Sequence, residues 1–111
     1  MNEHEKIILS KMKAYAIQTL EFKGGMDFDE FSNDAKTVAA CALNLSRIGE
    51  LAARLNVNFI EAYCDIPWRK IRGMRNRIVH DYEGLQLNIV WDVLQDYLPE
   101  LINSLDVFDL S

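Results

Sequence analysis

Apolar residues recur at spacings of three and four along almost the whole chain, and that periodicity leaves few folds open to it. Ile8, Met12, Tyr15, Thr19 and Phe22 trace a first stripe. Val38, Cys41, Ala42, Leu45, Ile48, Leu51, Ala52 and Leu55 trace a second. Trp68, Ile71, Met74 and Ile78 make a third, and Ile89, Val90, Val93, Leu94, Tyr97, Leu98, Leu101 and Leu105 a fourth. No segment alternates β-branched and polar residues between turns, as a half-buried strand would. A helix with one apolar stripe must bury it against another element, and here the only partners are other helices. The pattern predicts an all-α fold, an antiparallel bundle of four main helices plus short helical pieces.

Punctuation residues set the expected boundaries. A first helix runs from Glu3 to Phe22 and stops at Gly24-Gly25, where glycine readily takes the left-handed geometry of a helix end. Asp27 to Phe31 reads as a turn or short helix with Phe28 and Phe31 as anchors. A long helix spans Asn33 to Leu55 with Gly49 inside it; glycine there costs about 1 kcal/mol against alanine, which close approach of another backbone would offset. Gly73 invites the same close-packing reading. Phe59 to Tyr63 forms a helical turn, and Pro67 suits the first position of the next helix, where a missing N–H goes unnoticed. That helix should end near Tyr82 to Gly84. The last runs from Leu87 to Ser104, and Pro99 should kink or break it.

With 111 residues, the expectation is one domain over residues 1–111. Half the residues are apolar, enough for a core but a modest one at this size, so oligomerisation is a natural further source of stability. No apolar run approaches the ~18 residues that span a bilayer. The start, Met1-Asn2-Glu3-His4-Glu5-Lys6, lacks the basic flank and apolar stretch of a secretion signal, so a cytoplasmic protein is expected. Cys41 and Cys64 form no metal-spaced set, and both read as small buried apolar residues. Trp68 and Trp91 read as core.

Against this background one segment stands apart. Between Arg69 and Arg77 lie five cations (Arg69, Lys70, Arg72, Arg75, Arg77) and no acid, on a chain whose formal net charge is −5. The overall acidity argues against long, nonspecific nucleic-acid binding, yet leaves room for a small cationic cleft that holds phosphate. Directly after it comes His80, one of two histidines, the other being His4 near the terminus. His80 is therefore the candidate for proton transfer near neutral pH. Arg75 and His80, five apart, are separated by about 140° on a regular helix; Arg75 and Tyr82, seven apart, by about 20°. One helix makes a sparse site, and a two-fold dimer with this segment at its axis would make a dense one.

Arg75-Asn76-x-x-x-His80-x-Tyr82 resembles the R-x4-H-x-Y motif of the HEPN superfamily, and the polar Asn76 after the arginine fits its pattern. The similarity is to the HepT-like toxins. Arg47-Ile48-Gly49-Glu50, Ile66-Pro67-Trp68, Gly73-Met74-Arg75-Asn76, Val79-His80-Asp81-Tyr82, Trp91 and Leu98-Pro99-Glu100-Leu101 follow that pattern in order, covering roughly Asn33 to Leu101. The resemblance implies a HEPN-like helical domain and a metal-independent endoribonuclease, without cofactor, that acts on RNA as a homodimer. It implies a nucleotidyltransferase antitoxin of the MNT type that transfers AMP to Tyr82. Arg75 and His80 become the expected catalytic pair, Asn76 their support, and Arg72 and Arg77 candidate RNA contacts.

Structural alternatives stand beside each reading. Arg75 could pair with Asp81 or Asp65; His80 could be a histidine favoured at a helix C-terminus; Tyr82 could be a packing residue with a surface hydroxyl. The competing function is a noncatalytic helical module that binds a nucleotide or regulates a partner nucleotidyltransferase.

Overall fold

The computed structural model describes residues 1–80 and 87–110, and for residues 74, 75 and 77–80 it describes the backbone alone. The described chain is helical, with no strand among the described residues. Among the described residues seven α-helices follow in order: α1 (Glu3–Lys23), α2 (Phe28–Ser32), α3 (Ala35–Ala52), α4 (Val57–Ala62), α5 (Trp68–His80), α6 (Leu87–Asp92) and α7 (Leu98–Leu105). A π-helical turn, Val93–Tyr97, joins α6 to α7.

Side-chain caps begin the first three helices. Asn2 accepts from the Glu5 N–H, Asp34 from the Thr37 N–H, and Asp27 and Glu30 cap each other reciprocally. Gly24 ends α1 at φ +53°, the one positive φ among the described residues, with its N–H bonded to the Leu20 carbonyl. Pro67 immediately precedes α5, and its carbonyl accepts from the Ile71 N–H at 3.2 Å. The expected end of this helix near Tyr82 to Gly84 lies outside the described residues.

Pro99 does not break the last helix. The Leu98 N–H reaches back five residues to the Val93 carbonyl, so one turn widens just before the proline. Proline has no N–H for a four-back bond and its ring crowds the carbonyl of Gln95; a π turn accommodates both.

α3 is the central element, packed on α1 along one side and on α5 along the other. Paired contacts show α1 and α3 to be antiparallel. Gln18 meets Asn44, the Thr19 carbonyl meets Cys41, and Tyr15 lies under the Arg47 guanidinium at 5.3 Å. Nearer the ends, His4 Nε2 donates to the Arg54 carbonyl at 3.2 Å. The α6–α7 segment runs against α1 in the opposite sense, from Lys23 over Trp91 at one end to the Lys13–Asp106 ion pair at the other.

Leu9, Met12 and Ala16 of α1, Leu45 and Ile48 of α3, Ile71 of α5, and Leu94, Leu98 and Leu105 of the last segment form the centre of the core. Truncating one of these leucines to alanine costs roughly 2–5 kcal/mol, through lost transfer energy and the cavity left behind. Two expectations need correction. Phe22 is 39% exposed because the α1 stripe turns inward only as far as Thr19. Cys64 is exposed, since it lies in the α4–α5 connection where no helix covers it, whereas Cys41 is buried in α3.

Candidate phosphate-binding cleft

The basic stretch Arg69–Arg77 lies on α5, and two buried side chains fix how that helix sits. Trp68 is 3% exposed and donates its indole N–H to the Tyr63 carbonyl at 3.0 Å. Ile71, one turn on, is fully buried. With these turned inward, positions 69, 72, 73 and 76 fall on an outer face at helical spacing. Opposite them lie Gly49 of α3 and Ala53 just beyond its end, which have almost no side chain. The result is a cleft of about 520 Å³ lined by Gly49, Ala53, Arg69, Arg72, Gly73 and Asn76.

Its electrostatics are one-sided. Two guanidinium-bearing residues and a carboxamide line it, and no acid is among the described lining residues. Arginine's planar fork matches phosphate oxygens two at a time, so the lining suits a phosphodiester or phosphate monoester. The next cation, Lys70, is on a different face. It lines a second cleft of about 310 Å³ with Asp65, Pro67, Tyr97, Glu100, Leu101 and Ser104. There Tyr97 donates to the Pro67 carbonyl at 3.4 Å, and burial, aided by the Glu100 charge, pushes its phenol up to about 12.

The expected site residues divide accordingly. Arg72 and Asn76 are exposed and line the first cleft. Arg75, Arg77 and His80 are placed by the α5 backbone only, and Tyr82 lies outside the described residues. Arg69, one of the five cations of the basic run, joins Arg72 in lining the cleft. The signal was present in the spacing of 69, 72, 73 and 76, which is that of a single helical face. Among the described residues nothing packs closely on Gly73: a Cβ built there meets no described atom within 4 Å. Gly49, in contrast, is buried. Trp91 is partly buried, edge-on to Phe28 and tilted against Phe31, so its role includes core packing. Among the described residues no three His, Cys, Asp or Glu side chains gather as a metal-ion set.

Comparison with known proteins gives the family. The family described as Ribonuclease HepT-like matches residues 12–108. The chain belongs to the HepT-like ribonuclease family. Its relatives include "Putative RNase MJ0127" of Methanocaldococcus jannaschii, 33% identical over 89% of this chain and 78% of the relative. "Probable ribonuclease HepT" of Thermococcus cleftensis is 32% identical over 79% of this chain and 81% of its own length. "Putative RNase TTE0752" of Caldanaerobacter subterraneus is 34% identical, covering 69% of each chain. No solved structure matches. The HepT-like match spans α3 and α5, the two helices that form the cationic cleft.

Proposed function

We propose that this HepT-like chain is the toxin of a toxin–antitoxin pair, a cytoplasmic single-domain endoribonuclease that cleaves RNA without a metal. The observation that carries the reading is the cleft lined by Arg69, Arg72 and Asn76, with no acid among its described lining residues, on the α5 face whose helical register continues four residues on to His80.

The chemistry needs no group beyond the chain and its substrate. The RNA 2′-oxygen attacks the adjacent phosphorus, forming a 2′ O–P bond as the P–O5′ bond breaks. The 2′ proton leaves to a base and a proton reaches the departing 5′ oxygen, giving a cyclic phosphate and a 5′ hydroxyl. His80 is assigned proton transfer at one of these oxygens. Arg75 is assigned the charge that grows on the nonbridging oxygens, with Asn76 in support and Arg72 and Arg77 on flanking phosphates.

Arg75 and His80 do not share a face of one helix, so the site is completed by a second copy, its α5 brought to a two-fold axis. Control falls to an MNT-type nucleotidyltransferase that attaches AMP to the Tyr82 hydroxyl. The added phosphate competes for the arginines and the nucleotide fills the cleft.

Purified chain incubated with RNA in EDTA should cleave it, and the His80→Ala chain should not. Cleavage only after a divalent ion is added would overturn metal independence. Phosphate or nucleotide binding without any cleavage would favour the noncatalytic module. Light scattering at micromolar concentration should show a dimer; a monomer would remove the shared site.

A further inference from the structure

Among the described residues, neither packing nor backbone geometry calls for glycine at position 73. Its φ is not positive, and a Cβ added there meets no described atom within 4 Å. Glycine weakens a helix interior relative to alanine, so the residue is unfavourable for α5 itself. Its effect is on the cleft: the missing side chain leaves the floor open between Arg69 and Arg72 on one side and Asn76 on the other. Across from it lie Gly49 of α3, which is buried, and Ala53 just beyond the end of that helix. From Arg69 to Asn76 the floor extends about 10 Å along α5. That length holds two or three nucleotides at a stacked rise of ~3.4 Å.

Three cations of the basic run have described positions. Arg69 and Arg72 line this cleft, and Lys70 lines the other cleft with Asp65 and Glu100.

We propose that the α3–α5 cleft is the track for the single-stranded RNA segment that flanks the scissile phosphate. Arg69 and Arg72 hold successive phosphates, and the bare floor at Gly73 admits the sugar or base between them. Asn76 is the last contact before the strand reaches His80. This rests on the ribonuclease reading above. It adds Arg69 and Gly73 to the residues that bind substrate, and it gives the strand a direction along α5.

The test measures binding separately from cleavage. The full chain carrying His80→Ala is titrated into a labelled, short, single-stranded RNA of mixed sequence across a range of salt. Adding Arg69→Ala or Arg72→Ala should each lower the slope of log K against log salt by about 0.7, the value of one phosphate contact on a single strand. Adding Lys70→Ala removes the same charge and should leave affinity and slope unchanged. Gly73→Leu should weaken binding by about tenfold, the scale of one lost base or sugar contact, with the helical signal and melting temperature retained. Gly73→Ala is the milder variant should leucine disturb the fold, and it should weaken binding less. Equal losses for Lys70→Ala and the two arginine variants would reduce the effect to net charge and overturn the track. Undiminished binding in the Arg69, Arg72 and Gly73 variants, while the native chain still cleaves RNA, would overturn the track and leave the ribonuclease reading standing. A native chain that neither binds nor cleaves RNA would remove both.

Discussion

Asn56 donates its side-chain N–H to the carboxylate of Glu5, a glutamate only 2% exposed at the start of α1. The pair ties the first helix to the loop between α3 and α4, beside the bond from His4 to the Arg54 carbonyl. Asn56→Ala would leave a buried carboxylate short of a donor, which costs about 1–3 kcal/mol. The melting temperature should fall by several degrees, roughly 4–8 °C per kcal/mol at this size. Replacing Glu5 and Asn56 together by apolar residues should recover part of the loss. A double variant as unstable as the sum of the singles would show that the pair is not coupled.

The two cysteines should differ sharply in reactivity. Cys41 is buried, its S–H directed at the Thr19 carbonyl at 3.8 Å, and burial pushes its thiol up to about 11 from an ordinary 9. Cys64 is exposed. A thiol reagent near neutral pH should label Cys64 at once and Cys41 only after unfolding. Rapid labelling of both in the folded chain would contradict the burial.

Stability should decline in alkali for the same reason. The Cys41 thiol and the Tyr97 phenol both ionise later in the folded chain, at about 11 and about 12, than their ordinary values of 9 and 10. A raised pKa favours folding while the group is protonated in both states. The advantage is lost once the unfolded chain can ionise and the folded one cannot. Melting temperature should therefore hold up to about pH 9 and then fall toward pH 12. Cys41→Ala should flatten the earlier part of that fall.

For catalysis, His80→Ala should lower RNA cleavage by about 10²–10⁴, the usual worth of one acid–base group, with fold and dimer intact. Arg75→Lys should also be impaired, because a point charge does not reproduce the two-pronged fork. Full activity in the His80 variant would reject this mechanism.

For control, Tyr82→Phe should keep ribonuclease activity, since its hydroxyl is assigned no proton transfer. Coexpressed with the nucleotidyltransferase, it should gain no AMP by intact mass and should remain toxic. A Tyr82→Phe chain that is still modified and still silenced would place the acceptor elsewhere.

Local chemistry was enough to determine the helices. The three- and four-residue spacing, the caps at Asn2, Asp27 and Asp34, the positive φ available to Gly24 and the missing N–H of Pro67 act over a few residues, so the chain displays them directly. The motif Arg75, Asn76, His80 and Tyr82 was legible in the same way, as residue types at a spacing. Tertiary structure decided which neighbours share a surface. Arg69 and Lys70 are adjacent in sequence, yet they line different clefts, because Trp68 and Ile71 turn inward and fix the rotation of α5. Cys41 and Cys64 read alike, and only the packing of α3 between α1 and α5 buries one of them. Gly73 reads as a close contact, yet a Cβ there meets no described atom within 4 Å, and Pro99 follows a π turn rather than a break. Periodicity states that a face exists; what lies across from it depends on residues distant in the chain, here Gly49 and Ala53, whose small size makes the opening.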